Sequence, residues 1–130
     1  MDSVRVGLDL PLFESQDPDF IHSTVHSMKE LMVYSHTISI ASQQTVGGAP
    51  YSWEEVTPGS ENDPCRWEVF FHACKEIGYD GYCSHEQCSP TIAKGHTLGG
   101  LAEVDQRYTD ALAYLKGILR KLGCYTGHKA

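Results

Sequence analysis

No stretch of this sequence approaches the roughly 20 consecutive apolar residues that a membrane-spanning helix needs. The opening residues, Met1-Asp2-Ser3-Val4-Arg5, form neither a basic n-region nor an apolar h-region, which argues against a secretory leader. Clusters of lysine and arginine are also missing. Ten basic residues stand against seventeen acidic ones, a net charge of −7. That balance disfavours a surface that tracks nucleic-acid phosphates. The five cysteines are an odd number and lack the spacing of a disulfide framework. With no leader, they read as free thiols in a reducing, cytoplasmic setting. There is no P-loop, no nucleophile elbow and no Cys–His pair of catalytic spacing. Gly99-Gly100 lacks the strand and the further glycine of a dinucleotide site.

What is present fits one soluble domain. The 130 residues are 41% hydrophobic and 21% charged, ordinary values for a globular chain. Val4, Val6 and Leu8 alternate into a first strand that ends at Asp9. Asp17 is a good N-cap and Pro18 suits the first helical position, where a missing N–H costs nothing. Ile21, Val25, Met28 and Met32 continue at helical spacing, so the spacing predicts a helix to about Leu31. A second strand follows over about Met32 to Ile40, rich in β-branched and aromatic residues. Residues 41–63 are polar, carry Gly47-Gly48, Pro50 and Pro58-Gly59, and read as a long functional loop. Asp63-Pro64 repeats the cap signal. Trp67, Phe70, Phe71, Cys74 and Ile77 make a helical stripe that Gly78 closes. Asp80-Gly81 is a turn dipeptide. Tyr82 to Glu86 reads as the third strand, and 87–100 as a second loop. In the last helix Leu101, Val104, Tyr108, Ala111, Leu112, Leu115, Leu119 and Leu122 share one face, and Gly123 follows as its stop. Strands alternating with helices imply an α/β fold with a parallel sheet and right-handed crossovers. Both edges of such a sheet are unpaired, so the chain is expected to need a homo-oligomer or a complementary chain to cover them.

In parallel α/β folds, ligands sit beyond the C-terminal ends of the strands. Asp9 ends the first strand, His36 stands in the C-terminal half of the second, and Glu86 ends the third. An Asp/His/Glu set suits a divalent ion (Mn²⁺, Mg²⁺, Co²⁺ or Zn²⁺), with the oxygen ligands favouring the harder ones. Each residue alone has a plainer reading: a turn residue, a core histidine, a solvated glutamate. A slip of one in the third strand would put His85 in place of Glu86. Cys83-x4-Cys88 with His85 lacks the usual spacing of structural zinc. His22 and His26 are i, i+4 on a helix, a pairing that can bind metal, but no third ligand is evident and a solvated face accounts for them. Lys94 and His96 lie in the loop after the last strand, where TIM barrels place substrate contacts. Phosphate contact by Lys94 and ordinary loop polarity are both open.

Ile77-Gly78-Tyr79-Asp80-Gly81, followed by Tyr82-Cys83-Ser84-His85-Glu86, resembles the signature of the sugar phosphate isomerase/epimerase family, the xylose isomerase-like TIM barrels. Tyr34-Ser35-His36-Thr37 looks like that family's histidine strand, and Val6-Gly7-Leu8-Asp9 like its aspartate strand. Pro58-Gly59 and the Trp67-Phe70-Phe71 helix fall in family order. The resemblance covers nearly the whole chain. It implies that residues 1–130 are one partial domain, the last three βα units of an eight-stranded barrel, within the machinery of carbohydrate metabolism. It also implies that Asp9, His36 and Glu86 are the last three of four metal ligands. Glu86 would be one of two glutamates that exchange a proton next to a sugar carbonyl. The first family glutamate has no counterpart here. Leu12 stands where a histidine is frequent, Ser39 where the second strand usually ends in aspartate, and Val56-Thr57 where an arginine commonly precedes Pro-Gly. Met1 opens almost directly into the first strand, which favours a truncated reading frame. Two expectations follow. One is a metal-dependent isomerase or epimerase acting on a sugar or sugar phosphate. The other is a non-catalytic barrel fragment that acts only as an assembly partner or is inactive alone. Endonuclease chemistry within the same superfamily is disfavoured by the acidic balance.

Overall fold

The computed structural model describes residues 4–46, 49–87, 92–93 and 97–125. Strands β1 (Val6–Gly7), β2 (Met32–Thr37) and β5 (Tyr82–His85) form a parallel three-stranded sheet in the order β1-β2-β5. A 3-10 turn (Leu10–Leu12) and helix α1 (Pro18–Ser27) connect the first two strands. Between β2 and β5 lie an antiparallel hairpin, β3 (Ser39–Val46) with β4 (Ala49–Val56), and helix α2 (Trp67–Glu76). The short antiparallel pair β6 (Ile92–Ala93) and β7 (Thr97–Leu98) precedes helix α3 (Leu101–Lys121). No described helix is long and apolar enough to cross a membrane.

The α/β class, the three strands and the three helices agree with the sequence pattern. Asp17 caps α1 as expected: its Oδ1 accepts the backbone N–H of Asp19 at 2.9 Å and of Phe20 at 3.3 Å. The helix ends at Ser27, a turn earlier than the spacing suggests. Strand β1 is shorter than Val4 to Asp9, and β5 stops at His85. Gly78 takes a φ of 71°, the left-handed conformation that a helix stop favours in glycine.

Three expectations are corrected. Asp63 does not cap α2, which begins only at Trp67. Its carboxylate instead closes the preceding turn, accepting from the backbone N–H of Gly59 at 2.7 Å and of Cys65 at 2.9 Å. Residues 41–63 are not a bare loop, because β3 and β4 occupy most of them. The pairing of Val46 with Ala49 leaves two residues between the strands, and Gly-Gly between β-rich runs is a hairpin signal in its own right. Pro50 obscures it, since proline is foreign to central strands. A two-stranded hairpin has only edges, and there proline is tolerated. Finally, α3 does not bury the whole predicted stripe. Leu101 and Leu112 are exposed, while Ala111, Leu115 and Ile118 are buried. The core cluster draws on the C-terminal half of α3, through Leu115 and Ile118.

The core lies between the sheet and the helices. Ile21 and Val25 of α1, Trp67, Phe70, Phe71, Ala73 and Cys74 of α2, and Leu115 and Ile118 of α3 join Leu10 and Met32 in one buried cluster. Trp67 packs edge-on to Phe70, with ring centroids 6.0 Å apart, and Phe13 closes over Phe70 at 6.1 Å. The buried Trp67 indole N–H donates to Ser39 Oγ at 3.0 Å. That bond gives the departure at Ser39 a physical meaning: the residue is fully buried and satisfies the largest core side chain. Replacing Ser39 by alanine leaves a buried N–H unpaired, so urea unfolding of Ser39→Ala is expected to show a loss of about 1–3 kcal/mol. Stability equal to wild type would show that the indole finds another acceptor.

Candidate functional site

Side chains alternate across a strand, and in β2 the two sets have different fates. Toward its C-terminal end Ser35 and Thr37 are buried, whereas Tyr34 is exposed and His36 half-buried on the other side. Their rings lie 5.1 Å apart. Across the sheet, Gly7 gives room for the Tyr34 ring, which a Cβ at that position would overlap. This open face carries the strand-end residues.

Asp9 follows β1 and turns toward β2. Its Oδ1 accepts the backbone N–H of His36 at 2.8 Å, so the carboxylate is fixed to the neighbouring strand. Its Oδ2 lies 3.4 Å from His36 Nδ1. Glu86 follows β5, and its Oε2 lies 3.4 Å from the same nitrogen. One imidazole nitrogen therefore stands between two carboxylates that come from the two flanking strands. All three side chains are partly exposed, which leaves them reachable from solvent. The three residues singled out in the sequence are thus brought together by parallel register alone.

His85 takes the opposite side. Its Nδ1–H donates to the Thr37 carbonyl at 2.5 Å, and its ring stands edge-on to Tyr108 of α3 with centroids 4.7 Å apart. The alternative register, with His85 at the rim in place of Glu86, does not occur. Leu12 is exposed on the 3-10 turn. Lys94 and His96, and Cys88 of the zinc alternative, lie outside the described residues. A small cleft beside Glu86 is lined by Glu55, Thr57, Pro58, Gln87 and Arg107. Arg107 and Glu55 were not foreseen as neighbours of the rim. Nothing local marks them, because the hairpin and α3 reach this place only through the tertiary fold.

The two buried thiols take no part. Cys65 and Cys74 are buried. Burial, with the charge of Asp63 added at Cys65, pushes both thiols up to about 12. A thiol held that high is not a nucleophile at neutral pH. Among the described residues, one group of three ligand-type side chains has all its ligand atoms within 4.8 Å of one another, and it is His22, His26 and Glu76 on the helical exterior. The rim set is looser, joined through His36.

No family model matches the sequence, and no curated protein matches it. Among solved structures, that of D-psicose 3-epimerase with D-tagatose from Clostridium cellulolyticum H10 superimposes with a TM-score of 0.60 at 19% sequence identity. The alignment covers 89% of this chain and 38% of that chain. The fold is therefore that of part of a TIM barrel, and the described strands do not close a barrel.

The thiol environments carry a direct check. Native protein at pH 8 is expected to give the same rapid thiol titre with Ellman's reagent before and after the double substitution Cys65→Ser/Cys74→Ser. The two missing thiols should show only on unfolding. A lower native titre in the variant would mean that one of these cysteines is open to solvent.

Proposed function

We propose that the strand ends hold a divalent cation and that the chain carries part of a site for proton transfer next to the carbonyl of a sugar or sugar phosphate. The observation that supports this reading is the placement of His36 Nδ1 at 3.4 Å from both Asp9 Oδ2 and Glu86 Oε2. Ligand atoms sharing one ion at about 2.0–2.2 Å stand roughly 3–4 Å from each other. The two carboxylate contacts of His36 fall in that range, and the two carboxylates, which stand further from each other, would draw together by rotation of their partly exposed side chains. The donor chemistry fits as well, since two carboxylates and one imidazole suit Mn²⁺, Mg²⁺, Co²⁺ or Zn²⁺. The sugar-epimerase neighbour favours the same reading at the level of fold.

In this reading Asp9, His36 and Glu86 would hold the ion. When bound, it polarises a carbonyl oxygen and stabilises the negative charge that develops there. Asp9 has little freedom, because one of its oxygens is committed to the His36 backbone. It therefore fixes the spacing of β1 and β2 at the rim while its other oxygen stays available. Tyr34 packs beside the His36 ring and limits its rotation. Glu86 reaches its carboxylate to the open side and takes or returns the proton on the carbon next to the carbonyl. Lys94 and His96 remain proposed loop contacts to the sugar or its phosphate. The chain spans 38% of the epimerase chain it matches, and a second acid–base group on the opposite face of the substrate carbon would come from a part of the barrel that these residues do not span. The fragment reading predicts no ion at the rim and no exchange.

Calorimetric titration with Mn²⁺ is expected to show one specific site at the rim that His36→Ala removes and that Asp9→Asn weakens about tenfold or more. Incubated with Mn²⁺ and a ketohexose in D₂O, the wild-type protein should exchange the hydrogen next to the carbonyl, followed by NMR. Glu86→Gln should bind the ion more weakly and lose the exchange. A folded wild-type protein that binds no Mn²⁺ would sink the metal reading, and exchange equal in Glu86→Gln would remove that residue from the chemistry.

A further inference from the structure

Helices α1 and α2 lie side by side on the outside of the sheet, and a second set of metal-type side chains meets across them. The i, i+4 spacing of His22 and His26 puts both on one face of α1. Their rings stack at a centroid distance of 4.1 Å and an angle of 21°, so both Nε2 atoms point the same way. They point at Glu76, in the last turn of α2. His22 Nε2 lies 2.5 Å from Glu76 Oε2, and His26 Nε2 lies 3.1 Å from the same oxygen. His72, one turn before Glu76, brings its Nδ1 to 3.6 Å from the other carboxylate oxygen, Oε1. The third ligand missing from the sequence pattern is thus supplied from fifty residues downstream.

We infer that His22, His26 and Glu76, with His72 against the carboxylate, form a binding site for a nitrogen-preferring transition-metal dication of the Zn²⁺ or Co²⁺ type, bridging α1 to α2. The ligand atoms of the first three all lie within 4.8 Å of one another. A tetrahedral ion with bonds of about 2.0–2.1 Å needs its ligands roughly 3.3 Å apart. All of these side chains are partly exposed, so small rotations reach that spacing without disturbing the core. His72 either completes the coordination or orients the carboxylate from behind, as outer partners of metal ligands do. The set is richer in nitrogen than the rim, so it favours borderline ions over Mg²⁺ or Mn²⁺. An ion here would staple two helices that are otherwise joined by side-chain packing. It would therefore raise the melting temperature as the free ion concentration exceeds its dissociation constant.

The same cluster without metal is a set of histidines packed around one glutamate, and the test separates the two. The full chain is titrated with Co²⁺ under reducing conditions, followed by its visible d–d absorption and by thermal unfolding. Expected is a saturable Co²⁺ spectrum without a thiolate charge-transfer band, together with a rise in melting temperature. His22→Gln and His26→Gln should each weaken binding about tenfold or more and remove the thermal shift. All variants are compared on a His36→Ala background, which removes the rim's own claim on Co²⁺ and should keep both signals, so failure here and failure of the rim reading are told apart. The inference is overturned if wild type gives neither signal. It is also overturned if both signals persist in His22→Gln and His26→Gln variants whose circular dichroism matches wild type.

Discussion

Strand β2 hydrogen-bonds in parallel to β1 on one side and to β5 on the other. A parallel neighbour can be reached only by a crossover long enough to return the chain to the same end of the sheet. That constraint accounts for α1 between β1 and β2, and for the hairpin and α2 between β2 and β5. It also aligns the three strand ends. Every residue that follows a strand is delivered to the same rim, whatever the intervening sequence. The helices cover one side of the sheet through Trp67, Phe70 and Phe71. The other side stays open around Tyr34, His36 and Tyr82, as expected for a barrel wall whose interior layers are incomplete.

The Asp9–His36 contact is where this architecture becomes chemistry. One oxygen of Asp9 ties the end of β1 to the β2 backbone, and the other meets the imidazole. A carboxylate used in this way is both a structural clip and a candidate ligand. Glu86 reaches the same nitrogen from β5, with no backbone tether to it among the described residues. That asymmetry suits the proposed roles, with Asp9 fixing geometry and Glu86 able to follow a proton. On the helical side, His85 is engaged by the Thr37 carbonyl and Tyr108, which locks the register that presents Glu86.

Periodicity and caps made much of the fold legible. Asp17-Pro18 marked the start of α1, the aromatic stripe marked α2, and Gly78 marked its end. Strand-end reasoning placed Asp9, His36 and Glu86 together, because position after a parallel strand is a one-dimensional property. What was not legible depends on tertiary partners. Asp63 resembles a helix cap but serves a turn three residues before the helix starts. The β3–β4 hairpin was hidden by polar composition and Pro50, although Gly47-Gly48 carried the signal. Leu101 and Leu112 of α3 looked like core, yet the helix meets the core cluster through Leu115 and Ile118. Glu76 could not be joined to His22 and His26 from sequence, since nothing local announces that α1 and α2 pack with that register. The departures at Leu12 and Ser39 also divide. Leu12 is exposed and has no structural reason that the contacts reveal, whereas Ser39 serves the Trp67 indole.

The central claim is that the parallel strand ends form a cation site. Diffraction from crystals soaked in Mn²⁺, measured for anomalous scattering, tests it most directly. The account predicts an anomalous peak within bonding distance of Asp9 Oδ2, His36 Nδ1 and Glu86 Oε2. Well-ordered strand ends with no peak among those three atoms would contradict it.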